Sequence, residues 1–165
     1  MKINFAIWVL ALSVLLVACS RSGRRESGKT ERGRTSQGRT IVKMEKKNGV
    51  YQVPVEINGA KMFFIFDTGA GMVSISGTEV AFLYKQGTLT DEDILGTANF
   101  SDANGDVSEG TVINLKTVKI GNRTLQNVQA SVVHNMEAPL LLGQTVLERF
   151  GRISIDNKRG VITLE

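Results

Sequence analysis

The chain has 165 residues, 42% apolar and 22% charged, with a formal net charge of +4 and a single cysteine. A lone cysteine excludes an intramolecular disulfide, so the folded part is held by its core. The charge is unevenly placed: residues 20–40 carry seven Lys/Arg and two Glu, whereas residues 41–165 carry twelve Lys/Arg against fourteen Asp/Glu. The basic balance therefore belongs to a tail, and the folded part offers no ground for a nucleic-acid partner.

The chain opens with Lys2 and an apolar run, Phe5 to Val17, broken only by Ser13. A bilayer core of roughly 30 Å needs about 20 apolar residues in a helix, and this run is shorter. A basic start followed by a short apolar run reads as a secretory signal. It ends Leu16-Val17-Ala18-Cys19, which resembles the lipobox of bacterial lipoproteins. The resemblance implies removal of residues 1–18 and lipid attachment to the sulfur of Cys19. The expected location is the bacterial cell envelope, on the periplasmic or outer face. Ser20 rather than an Asp follows the cysteine, which tilts the expectation to the outer membrane.

Residues 19–40 form the lipidated cysteine and a basic tether. Ser20 to Thr40 holds no Leu, Ile, Val or aromatic residue, so it cannot bury enough surface to offset its ordering entropy. It reads as a solvated spacer whose positive charge adds attraction to anionic headgroups.

From Ile41 to Glu165 the pattern is of short strands. Tyr51 to Ile57 alternates, Asn58-Gly59 turns the chain, and Lys61 to Phe66 returns, apolar on both faces near its end and so expected to be buried. Met72 to Ser76 is a strand, and Thr78 is expected to cap a helical turn running toward Lys85. Ile94–Phe100 and Val107–Leu115 flank a polar tip, in which Asn104-Gly105 fits a tight turn. Thr117–Ile120 and Leu125–Val133 flank Gly121-Asn122. After Leu140-Leu141-Leu142-Gly143, the spacing of Val146, Leu147 and Phe150 predicts one short late helix stopped at Gly151. A last strand pair, 152–156 and 161–164, closes the chain.

Chemistry concentrates in Phe64-Ile65-Phe66-Asp67-Thr68-Gly69-Ala70-Gly71. Alone, Asp-Thr-Gly describes an ordinary turn after a strand. Here an apolar strand delivers the carboxylate to a Gly-rich loop and a second apolar strand resumes at Met72. Together with the hairpin tip at 101–106 and Leu140-Leu141-Leu142-Gly143, this resembles the retropepsin-like aspartic proteases, and within them the bacterial branch. The resemblance covers roughly 41–165 and implies an all-β fold, a mostly antiparallel closed β-barrel with one short C-terminal helix.

It also implies roles. Asp67 is the expected catalytic carboxylate. Thr68, Gly69 and Ala70 support its loop, with the Thr68 hydroxyl expected to hold it by hydrogen bonds. Asn104 and Gly105 mark the tip of a substrate-covering flap, and Gly143 packs beneath the loop. Two carboxylates about 3 Å apart cannot both ionise, so such a pair shares a proton, activates water and polarises a peptide carbonyl. The chain holds a single Asp-Thr-Gly, and Asp91-Glu92-Asp93 and Asp156 lack its setting. The second carboxylate is therefore expected from a second copy in a C2 homodimer. Viral members carry an acid and a base where this chain has Gly71 and Gln144, so a charge pair that braces their dimer is missing.

Other chemistries find no support. His134 is the only histidine and has no cysteine beside it, so no metal is expected and it reads as a surface or strand-edge residue. Neither a G-x-S-x-G nucleophile nor a phosphate-binding loop is present, and no cofactor is expected. The leading expectation is a membrane-anchored aspartic endopeptidase acting on peptide or protein substrates. The alternatives are a non-catalytic lipoprotein of the same fold that binds an extended peptide or partner protein, and an envelope-surface scaffold.

Overall fold

The computed structural model describes residues 38–101, 104–134, 136 and 138–165. The signal segment, Cys19 and nearly all of the tether lie outside the described residues. Eleven strands and two short helices follow among the described residues. They are β1 (Thr40–Lys43), β2 (Glu45–Lys47), β3 (Val50–Ile57), β4 (Ala60–Phe66), β5 (Val73–Ser76) and α1 (Gly77–Lys85). Then come β6 (Ile94–Ser101), β7 (Val107–Ile120), β8 (Arg123–Val133), β9 (Leu141–Leu142), α2 (Gln144–Leu147), β10 (Ile153–Asp156) and β11 (Val161–Leu164).

The tight turns form where the sequence places them. Asn58 and Gly59 take φ of 48° and 89°, the left-handed pair that a two-residue hairpin requires. Asn58 is also tied down: its amide donates to the Thr88 carbonyl at 3.0 Å and its oxygen accepts from the Thr117 N–H at 2.9 Å. On β3, Val53, Val55 and Ile57 face inward, as do Ala60, Met62 and Phe64 on β4. The expectation that the end of β4 is buried on both faces is corrected. Phe63 is 41% exposed and Ile65 and Phe66 are half-buried, because only one face of this strand meets the core.

The late helix forms where expected: it spans Gln144–Leu147 and runs on as a 3-10 turn, Glu148–Phe150, stopped by Gly151 at φ 83°. The expectation of one short C-terminal helix is corrected, because the turn expected before Lys85 is itself an α-helix. The earlier helix, α1, has nine residues and is capped by Ser76 rather than Thr78. The Ser76 hydroxyl accepts from the Thr78 N–H at 3.2 Å and bonds to Glu79, a capping arrangement that satisfies the first turn.

The strands form a three-stranded sheet, β1-β11-β10, and an eight-stranded sheet, β2-β3-β4-β9-β5-β8-β7-β6, in which β3 also pairs with β7. Most pairings are antiparallel, but β4–β9 and β5–β8 are parallel. A parallel pair needs a long connection, and β9 starts at Leu141, 75 positions after β4 ends at Phe66, to lie between β4 and β5. The core runs through these strands, with Phe64, Ile75, Leu83, Ile113, Leu115 and Leu142 essentially sealed from solvent. No helix among the described residues is long and apolar enough to cross a membrane.

Candidate active site

β4 ends at Phe66, and Asp67 follows at the mouth of the loop 67–71. The two residues of β9 hold that mouth open: Ile65 pairs with Leu141 and Phe66 with Leu142 on one side, and Ser74 of β5 pairs with Leu141 on the other. The Asp67 N–H donates to the Leu142 carbonyl at 3.1 Å, so β9 fixes the backbone that carries the carboxylate.

Past β9 the chain braces the rest of the loop. The N–H groups of Gln144 and Thr145 donate to the carbonyls of Ala70 at 2.8 Å and Gly71 at 3.0 Å. The Gln144 side chain adds a third bond, its Nε2 donating to the Thr68 carbonyl at 3.0 Å. Gly143 lets the two segments touch, as expected: a Cβ there would lie 2.2 Å from the Met72 carbonyl oxygen. Gln144 therefore does structural work within one chain, at a position where the sequence suggested only a missing charge.

Asp67 itself is half-buried. Its Oδ1 accepts from the Gly69 N–H at 2.8 Å, and its other oxygen has no hydrogen bond among the described residues. Thr68 and Gly69 are exposed and Ala70 is half-buried. The expectation for the Thr68 hydroxyl is not met within one chain. It makes no hydrogen bond among the described residues, and the loop is held through main-chain groups and Gln144 instead.

The candidate flap is the β6–β7 hairpin. Asn104 and Gly105 lie in its connecting segment, with Gly105 at φ 88°. The pairing of β7 with β8 ends at Thr111↔Val132, so the outer rungs, Ala98↔Gly110 to Ser101↔Val107, rest on the hairpin's own ladder. Phe100 lies across Gly110, where a Cβ would stand 2.9 Å from its ring. Between this hairpin and the loop 69–72 is a cavity of about 520 Å³, lined by Gly69–Met72 on one side and by Phe100, Ser108 and Glu109 on the other. Asn104 and Gly105 are not part of its lining.

Ser74 and Ser131, which the sequence did not single out, also line this space, as does His134. His134 is exposed, as read, yet its place at the end of β8 puts it on the cavity wall. No local signal marked Ser74 or Glu109, which reach the cavity through pairings between distant strands.

Three of the acids set aside in the sequence, Asp91, Asp93 and Asp156, are engaged elsewhere. Asp156 accepts from the Arg159 N–H at 2.9 Å and Asp91 from the Tyr84 hydroxyl at 3.0 Å. Asp93 is buried beside Lys116, 3.0 Å away. Burial alone pushes its carboxyl up. Bonds from the Thr90 N–H, the Lys116 ammonium and the Thr90 hydroxyl outweigh that and leave it below its ordinary value.

The family profile described as "gag-polyprotein putative aspartyl protease" matches residues 53–149. A crystal structure of a retropepsin-like aspartic protease from Rickettsia conorii superposes with a TM-score of 0.54 at 24% identity, covering 77% of this chain and 89% of that one. The fold is thus retropepsin-like. Among curated proteins none matches.

Proposed function

We propose that this chain, which belongs to the gag-polyprotein putative aspartyl protease family, is an aspartic endopeptidase that completes its active site by pairing two copies. The observation that carries this reading is the setting of Asp67. One oxygen is oriented by the Gly69 N–H, the other has no partner among the described residues, and the loop is braced by β9 beside a peptide-sized cavity. The succession β3-β4-β9-β5-β8-β7, returning to β3 through Glu56↔Lys119 and Ile57↔Val118, supports the closed barrel that such an enzyme uses.

In the dimer, the two Asp67 carboxylates face each other across the two-fold axis. At about 3 Å they hold one proton between them. The ionised carboxylate takes a proton from water as its oxygen attacks the peptide carbonyl carbon. The protonated one gives its proton to the carbonyl oxygen, forming a neutral tetrahedral diol. Collapse of the diol returns one proton to the pair and passes another to the amine, which leaves. Closure of the β6–β7 hairpin holds the substrate main chain and excludes water.

Residues 1–40 support attachment to the bacterial outer membrane through lipid on Cys19, a reading that rests on sequence alone. Two copies tethered to one surface meet at raised effective concentration, which favours the dimer. Fatty-acid labelling lost in Cys19→Ala tests the anchor.

Cleavage of a peptide library by wild type and Asp67→Asn, from acid to neutral pH, tests catalysis. Equal cleavage by both would exclude Asp67 as the catalyst. Peptides retained by both proteins and cut by neither would point to the non-catalytic binding module.

A further inference from the structure

The cavity between the hairpin and the loop carries a chemical bias. Ser74 is only 8% exposed and lies beside Ser131 in the β5–β8 register. The Ser131 hydroxyl donates to the Val73 carbonyl at 3.3 Å, whereas that of Ser74 makes no hydrogen bond among the described residues. Ser74 nevertheless lines the cavity. It opens onto the cavity, so it is free to hydrogen-bond an occupant, and an apolar occupant that covered it would leave it unpaired.

Glu109 fixes the sign of that group. Glu109 is exposed and lies on β7 beyond its last rung with β8, opposite Asn99 of β6. It makes no ion pair among the described residues, and it lines the cavity. The surrounding segment reinforces it: Gln86 to Leu115 holds six Asp/Glu and no Lys or Arg. The rest of the wall includes apolar Met72, Phe100 and Leu141.

Apolar walls, a hydroxyl open to the cavity and an exposed carboxylate in its lining suit a side chain with an aliphatic stem and a cationic head. We propose that this cavity is a subsite for a Lys or Arg side chain of an extended peptide, with Glu109 as counter-charge and Ser74 as hydrogen-bond partner. This rests on the protease reading above and names its substrate class. An apolar side chain leaves the Ser74 hydroxyl unpaired, and an acidic one meets Glu109, so both are discriminated against.

The test uses the full chain in neutral detergent, carrying Asp67→Asn so that bound peptide is not turned over. Fluorescence anisotropy measures the Kd of octapeptides that differ at one position, Lys against norleucine against Glu, with that position scanned along the peptide. All Kd values are read in one buffer at one pH. At one position Lys is expected to bind about tenfold tighter than norleucine. Adding Glu109→Gln is expected to cut that ratio to about two, and Glu109→Lys to invert it in favour of Glu, a reversal that a structural role for the residue would not produce. Equal Kd for Lys and norleucine at every position, or a ratio unchanged by Glu109→Gln, overturns the subsite, as does failure to bind any peptide. A Lys preference without cleavage by wild type keeps the subsite and sinks the endopeptidase. Cleavage without the preference does the reverse.

Discussion

Gly143 and Met72 meet backbone to backbone, so closely that a Cβ at position 143 would stand 2.2 Å from the Met72 carbonyl oxygen. The neighbour is main chain and cannot swing away. Gly143→Ala must therefore push apart the two segments that brace the Asp67 loop. We expect a loss of about 2–3 kcal/mol, seen as a midpoint lower by roughly 10 °C in thermal unfolding. Cleavage should fall further than stability, because the displaced loop carries the carboxylate.

Asp67→Asn should leave the fold intact. The amide oxygen still accepts from the Gly69 N–H, and the residue is only half-buried. Peptide hydrolysis should drop by about a thousandfold or more, since a general base is lost from both halves of the site. Unfolding by urea alongside the kinetics checks that the loss is chemical.

Mixing the two proteins tests the pairing. If each active site needs one Asp67 from each copy, an equal mixture of wild type and Asp67→Asn leaves about one quarter of the dimers intact. Activity per total dimer should fall to that fraction after subunit exchange. A value near one half would show that each chain works alone.

Asp93 should make stability depend on acid pH. Its carboxyl lies below the ordinary value of 3.8 in the folded chain, so the unfolded chain binds its proton more readily. The stabilisation is then fully present above about pH 4 and is lost as pH falls below 3.8 and through the depressed folded value. Asp93→Asn should lower stability by about 1–3 kcal/mol near neutral pH, through the bonds to Lys116 and Thr90, and should flatten that acid limb. Urea midpoints between pH 2 and 7 provide the check.

Asn58→Ala should cost about 2 kcal/mol. It removes two side-chain hydrogen bonds, to Thr88 and Thr117, and puts a less tolerant residue at positive φ. Activity per folded molecule should be unchanged, because the turn lies at the end of β4 away from Asp67.

Much of the site was legible because its signals are local. Asn58-Gly59 dictates a hairpin through backbone conformations that these residues adopt at little cost, and that hairpin carries β4 into Asp67. Asp67, Gly69 and Gly143 stand where the sequence put them, since a carboxylate on a Gly-rich loop and a close backbone approach are written in residue types. The helix cap misled because Ser76 and Thr78 both carry hydroxyls, and which one caps depends on where the buried strand β5 stops.

What the sequence determined by itself is therefore one carboxylate at a strand end, in a chain that offers no second copy of its motif. Tertiary structure decided what surrounds it. Pairing of Ile65 with Leu141 and of Ser74 with Ser131 joins strands far apart in the chain, and neighbouring residues say nothing of which distant strand will lie beside them. Those pairings insert β9 between β4 and β5, give Gln144 its hold on Thr68, and bring Ser74 and Glu109 to one cavity.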